Sequence, residues 1–95
     1  MSMDLQELRE IINGIDDEIV ALYIRRMETA AQIGAYKREH GMQVLDAGRE
    51  QALLNRVGEE AGEKYAEGVR ALFTLLMAQS RALQACENGA GETNL

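Results

Sequence analysis

Residues 5–37 read LQELREIINGIDDEIVALYIRRMETAAQIGAYK, and they decide the fold. Leu5, Leu8, Ile12, Ile15, Ile19 and Leu22 recur in alternating steps of three and four, the spacing of one helical face. The same rhythm continues through Arg26, Thr29, Ile33 and Lys37. One stripe is therefore apolar in its first half and largely polar and cationic in its second. No proline or turn signal separates the halves, so both belong to one helix. Asp4, with Glu7 three residues on, has the pattern of a capping box, and the helix is expected to run to about Glu39 and stop at Gly41. Gly14 and Gly34 inside it each cost roughly 1 kcal/mol against alanine, but the periodicity runs through both. At 1.5 Å per residue the helix is about 50 Å long.

Outward from this helix the chain is simpler. GMQVLD, residues 41–46, is a connector, and Asp46 is expected to N-cap a second helix carrying Leu53, Leu54 and Val57. Gly58 and Gly62 read as punctuation at its end, with a loop near residues 62–64. A third helix is expected from about Glu67 to Cys86, with Val69, Leu72, Phe73, Leu76 and Met77 facing inward. That face continues through Ser80 and Gln84, a polar pair one helical turn apart. The expected fold is all-α: a three-helix chain with one long N-terminal helix, residues 1–87 forming the domain. Residues 88–95 form a polar tail with little to bury, expected to be disordered.

The long helix also bears on assembly. Two shorter helices are too little to cover a seam of that length, and a lone chain would leave a large apolar patch in water. A homodimer with the long helices packed together answers this. A plain coiled coil does not, because the heptad fails at Arg26.

Composition narrows the function. The 95 residues are 46% hydrophobic and carry a formal charge of −6, which argues against nucleic acid or an anionic membrane as partner. No basic stretch followed by an apolar core opens the chain, and no apolar run reaches membrane length, so a cytoplasmic location is expected. Cys86 is the single cysteine, so no intrachain disulfide forms, and metal-ligand spacing is absent. Cys86 reads as a half-buried thiol near a helix end, and His40, beside Gly41, as a helix-end residue.

The polar residues on inner faces carry the functional signal. Arg26 and Lys37 are eleven residues apart and return to nearly the same face at 100° per residue, so they overlook one cavity. Arg25 points about 100° away, into solvent. Arg9 lies seventeen residues before Arg26, some 25 Å along the axis and on another face. The two arginines cannot grip one small ligand within one chain, but across a two-fold dimer they can. Taken singly, Arg26 or Lys37 fits a snorkelling or ion-paired cation. Taken with Ser80, Gln84, Arg49 and Glu50, they would leave many polar groups desolvated without a ligand. A small anion with two carboxylates suits such a pocket. No nucleophile–base pair, phosphate loop or dinucleotide motif is present, so an enzyme of this kind would work by orientation and charge stabilisation.

In order along the chain stand LREIINGIDDEIVALYIRRMETAAQIGAYK, VLDAGRE and LFTLLMAQSRALQ. Together these resemble the all-helical chorismate mutases of the shikimate pathway, over about residues 5–85. The resemblance implies an intertwined homodimer with two equivalent sites, converting chorismate to prephenate without a cofactor. By motif position, Arg26 would bind one substrate carboxylate, and Arg9 of the partner chain the other. Lys37 and Gln84 would donate to the ether oxygen, and Glu50 would accept from the ring hydroxyl. Ser80 and the Asp46 backbone would seat the ring carboxylate, with Arg49 in support. The connection GEEAGEKYAEG, residues 58–68, is shorter and richer in glycine than the family pattern, and Ala47-Gly48 is expected to loosen the turn before the second helix.

Two other readings stand beside this one. Isochorismate-pyruvate lyase shares the arginines and the lysine, but Glu50 and Ser80 are not expected there. A non-catalytic helical dimer serving a regulatory role accounts for the apolar seam and not for Lys37 and Gln84 together. Family members also occur fused to, or associated with, other pathway enzymes.

Overall fold

A computed structural model describes residues 3–89, with side chains through Ala85. Three helices make up the chain: α1 (Leu5–Glu39), α2 (Ala47–Ala61) and α3 (Ala66–Gly89). No strand occurs among the described residues. α3 packs against both α1 and α2, which meet each other only through it. The resulting body measures 58 × 34 × 15 Å, little thicker than one layer of helices.

The ends of α1 follow from side-chain chemistry. Asp4 accepts from the Glu7 amide at 2.8 Å while Glu7 accepts from the Asp4 amide at 2.9 Å, which completes the expected capping box. At the other end Gly41 takes φ 66°, a left-handed conformation that glycine adopts without a Cβ penalty. The Met42 amide then donates to the Lys37 carbonyl at 2.8 Å, and the Gly41 amide to that of Arg38 at 3.4 Å. This turn folds the connector back across the last turn of α1. His40 is the C-cap, as its place beside Gly41 suggested, and its ring stacks on Tyr36 with centroids 3.9 Å apart.

α2 begins where Asp46 accepts from the Arg49 amide at 3.1 Å. Ala47 and Gly48 are already helical, so the stretch expected to be loose is an ordered first turn. Gly58 differs from its expected role as well. It lies inside α2 and is buried, because the Arg70 guanidinium fits against it: a Cβ there would meet Arg70 Nη2. The break falls at Gly62 alone, with φ 83°.

The core is small. Leu53, Val57 and Met77 are buried, with Leu54, Val69 and Phe73 packed against them. Leu72, expected to face inward, is 51% exposed, and Leu75 is 56% exposed. The face that α3 buries steps through Phe73, Met77, Ser80 and Gln84, and Leu72 stands about 100° off that line. α3 extends through Gly89, and the remainder of the polar tail lies outside the described residues, as does the Cys86 side chain. Along α1 only Ala30 and Gly34 are buried. Leu5, Leu8, Ile12, Ile15, Ile19 and Leu22 are each about half exposed or more, from 47% to 61%.

Candidate active site

A cavity of about 360 Å³ opens where the second half of α1, the connector, the start of α2 and the second half of α3 converge. Its volume suits a small molecule. Arg26 and Lys37 both line it, as their eleven-residue spacing required, together with Asp46, Arg49, Glu50, Ser80 and Gln84. Arg9 does not. It stands on the exposed first half of α1, outside the cavity.

Arg26 is fixed by α3. Its Nη1 donates to Ser80 Oγ at 3.0 Å, and its guanidinium lies 5.6 Å from the centre of the Phe73 ring. Ser80 spends its own proton on the Leu76 carbonyl at 2.9 Å, leaving its lone pairs to accept from the arginine. Burial, and after it the nearby Arg49 charge, hold the Arg26 pKa below the usual arginine value. An arginine stays charged near neutrality all the same. Two cations are thus held close together, one of them partly desolvated, and a bound anion would relieve both costs.

Lys37 is placed by the turn that ends α1. Its carbonyl accepts the Met42 amide, and its ammonium donates to the Val44 carbonyl at 2.8 Å. An ammonium has three donors. One is occupied here, so others remain for a ligand.

Gln84 is the most confined polar group. It is 6% exposed, and its Oε1 is buried with no hydrogen-bond partner. Leaving such a group unmet costs about 1–3 kcal/mol. The cause is a close helix crossing at Gly34, where a Cβ would come within 3.0 Å of Gln84 Cγ and 3.3 Å of Gln84 Cα. Absence of a side chain at Gly34 lets α3 seat Gln84 directly on α1.

Glu50 is already engaged. Arg81 Nη1 reaches both of its oxygens, at 2.6 and 2.5 Å, and Arg81 itself lines the cavity. Sequence reasoning missed this residue, although Arg81 lies four residues after Met77 and three before Gln84, a spacing that places it beside the same face. The lining therefore carries Arg26, Lys37, Arg49 and Arg81 against Asp46 and Glu50, a net excess of cations on an acidic chain. No cluster able to hold a metal ion occurs among the described residues. No helix among them is long and apolar enough to cross a membrane.

Comparison with known proteins matches these features to a family. The family model for chorismate mutase type II matches residues 8–85. The T-protein of Haemophilus influenzae is 36% identical over 50 residues, covering 53% of this chain and 13% of the relative. No solved structure matches the chain. With the family pattern running from the apolar half of α1 through the last polar residue of the cavity, the chain belongs to the chorismate mutase type II family.

Proposed function

We propose that this chain rearranges chorismate to prephenate, within aromatic amino-acid biosynthesis, in two sites of an intertwined homodimer. The observation that carries this reading is the convergence of Arg26, Lys37, Ser80 and Gln84 from two helices on one small-molecule cavity. In the Claisen step the ether C–O bond breaks as a new C–C bond forms, and nothing enters or leaves. Negative charge develops on the ether oxygen, where the free donors of Lys37 and the Gln84 amide are suited to meet it. Interactions that strengthen as that charge appears raise the rate, and a millionfold gain requires about 8 kcal/mol of them. Arg26 takes one carboxylate, Ser80 and the Asp46 backbone seat the ring carboxylate, and Arg49 supports both. Glu50 accepts from the ring hydroxyl. Glu50 and Ser80 at the cavity wall favour this rearrangement over lyase chemistry on isochorismate.

Arg9 comes from the partner chain to complete the site. The bare apolar seam supports this, because Leu5, Leu8, Ile12, Ile15, Ile19, Leu22, Leu72 and Leu75 all lie open on a single chain. A second copy laid along α1 would cover that seam and bring an N-terminal half toward each cavity. The matched stretch covers 13% of the T-protein's length, which suits the expectation that such domains also occur joined to further protein.

The direct test follows chorismate disappearance and prephenate formation with purified protein. Lys37→Ala should lower turnover about 100- to 1,000-fold, the effect of removing a donor to developing charge. Its circular dichroism should be unchanged, and Lys37→Met should fare little better. Near-normal turnover in either variant would remove Lys37 from the chemistry.

A further inference from the structure

Arg81 is the charged residue of the cavity to which neither spacing nor resemblance gave a role. Its ion pair with Glu50 joins positions 31 residues apart, and the two side chains are 36% and 25% exposed. Glu50 stands in the first turn of α2, whereas Arg81 follows Ser80 on α3. The pair therefore ties the direction of one carboxylate to the helix that also carries Ser80 and Gln84. A glutamate side chain without a partner samples several rotamers, and fixing it beforehand removes that entropy cost from substrate binding.

The stoichiometry of the contact matters. One guanidinium nitrogen meets both oxygens. An ionised carboxylate offers about four lone-pair sites, so Glu50 keeps acceptor capacity toward the cavity.

We propose that Arg81 is a positioning residue that holds Glu50 as a directed acceptor for a ring hydroxyl. It thereby selects for a substrate ring bearing that donor and takes no part in cleaving the ether bond. This rests on the chorismate reading given above. A mere clamp between α2 and α3 would act differently, since loosening it would harm every substrate alike.

The experiment compares kcat/KM for chorismate with that for its analogue carrying hydrogen in place of the ring hydroxyl. Wild type, Arg81→Met and Arg81→Lys are each measured on both. Arg81→Met should lose roughly tenfold on chorismate and less than about twofold on the analogue, the signature of a loss routed through the hydroxyl contact. Arg81→Lys should recover part of the chorismate loss, because an ammonium keeps the charge without the planar fork. Equal losses on the two substrates would overturn the inference and leave a clamp. Should Arg81→Met fail to fold, Arg81→Lys carries the test alone, and an equal effect on both substrates would again overturn it. Wild type that leaves chorismate unchanged overturns the functional reading, and this inference with it.

Discussion

The two halves of α1 share one helix and one stripe but have opposite surroundings. From Leu5 to Ile24 every residue is exposed, including eight isoleucines and leucines of the seam and its edge. The helix first meets α3 at Tyr23, whose hydroxyl donates to Gln79 Oε1 at 2.8 Å, and from Arg26 onward it buries Ala30 and Gly34 and presents Arg26, Thr29, Ile33 and Lys37 to the cavity. The first half has apolar surface without a partner in the chain, and the second has polar groups without a complete one. The shortfall of each half suggests what the other supplies. In the proposed dimer, the bare half of one chain would cover apolar surface and deliver Arg9 toward the polar half of its partner.

The largest effect should come from breaking the bare half. Ile15→Glu places a charge in the seam, where burying an unpaired carboxylate is strongly unfavourable. Sedimentation should show loss of the dimer together with loss of activity, since the site would then lack Arg9. A variant that remained an active dimer would show that Ile15 lies outside the contact.

A smaller effect is expected in the polar half at Gln84, because the change can be reversed by pH. The wild-type amide donates at any ordinary pH, whereas an ionised glutamate can only accept and repels the developing charge. Gln84→Glu should therefore be poor near neutrality and gain activity as pH falls and the carboxyl takes up a proton. A free glutamate titrates near about 4.3; burial would raise that value and Lys37 would lower it. Chorismate consumption from neutral to mildly acidic pH checks this, with folding followed by circular dichroism. Parallel profiles for the variant and wild type would remove Gln84 from the ether-oxygen role.

The smallest effects separate the two helical glycines. Gly14 has nothing within 4 Å of an added Cβ in the single chain, whereas Gly34 would press on Gln84 at 3.0 Å. Gly14→Ala should stabilise by about 1 kcal/mol, the intrinsic helix preference, with activity unchanged. Gly34→Ala forces α1 and α3 apart by a few tenths of an ångström and should lower kcat about tenfold through Gln84, as misplacement does at a preorganised site. Thermal melting with steady-state kinetics distinguishes the two. Equal behaviour would show that the Gly34 crossing does not position Gln84.

Much of this was legible in the sequence because short-range chemistry determines it. Asp4 with Glu7, Asp46, Gly41 and Gly62 mark helix ends through caps and left-handed turns, and the structure ends its helices there. The shared cavity of Arg26 and Lys37 follows from helical arithmetic alone. What escaped was decided between helices. Gly58 looked like a helix stop, but its lack of a side chain accommodates Arg70 from α3. Leu72 lay close enough to the inner face to be counted on it, but it stands about 100° from the line of Phe73, Met77, Ser80 and Gln84 that α3 buries. Arg81 was missed because its partner Glu50 is 31 residues away on another helix.

The most direct test of the shared site is subunit mixing. Arg9→Ala and Arg26→Ala chains are each purified, shown to be nearly inactive, then mixed in equal amounts under conditions where subunit exchange is verified. Each mixed dimer holds one site lacking both arginines and one site lacking neither. Half the dimers are mixed and half their sites are intact, so activity should return to about a quarter of the wild-type value. Verified exchange without recovery would mean that Arg9 and Arg26 serve the same site within one chain or do not share a site at all, and would contradict the account.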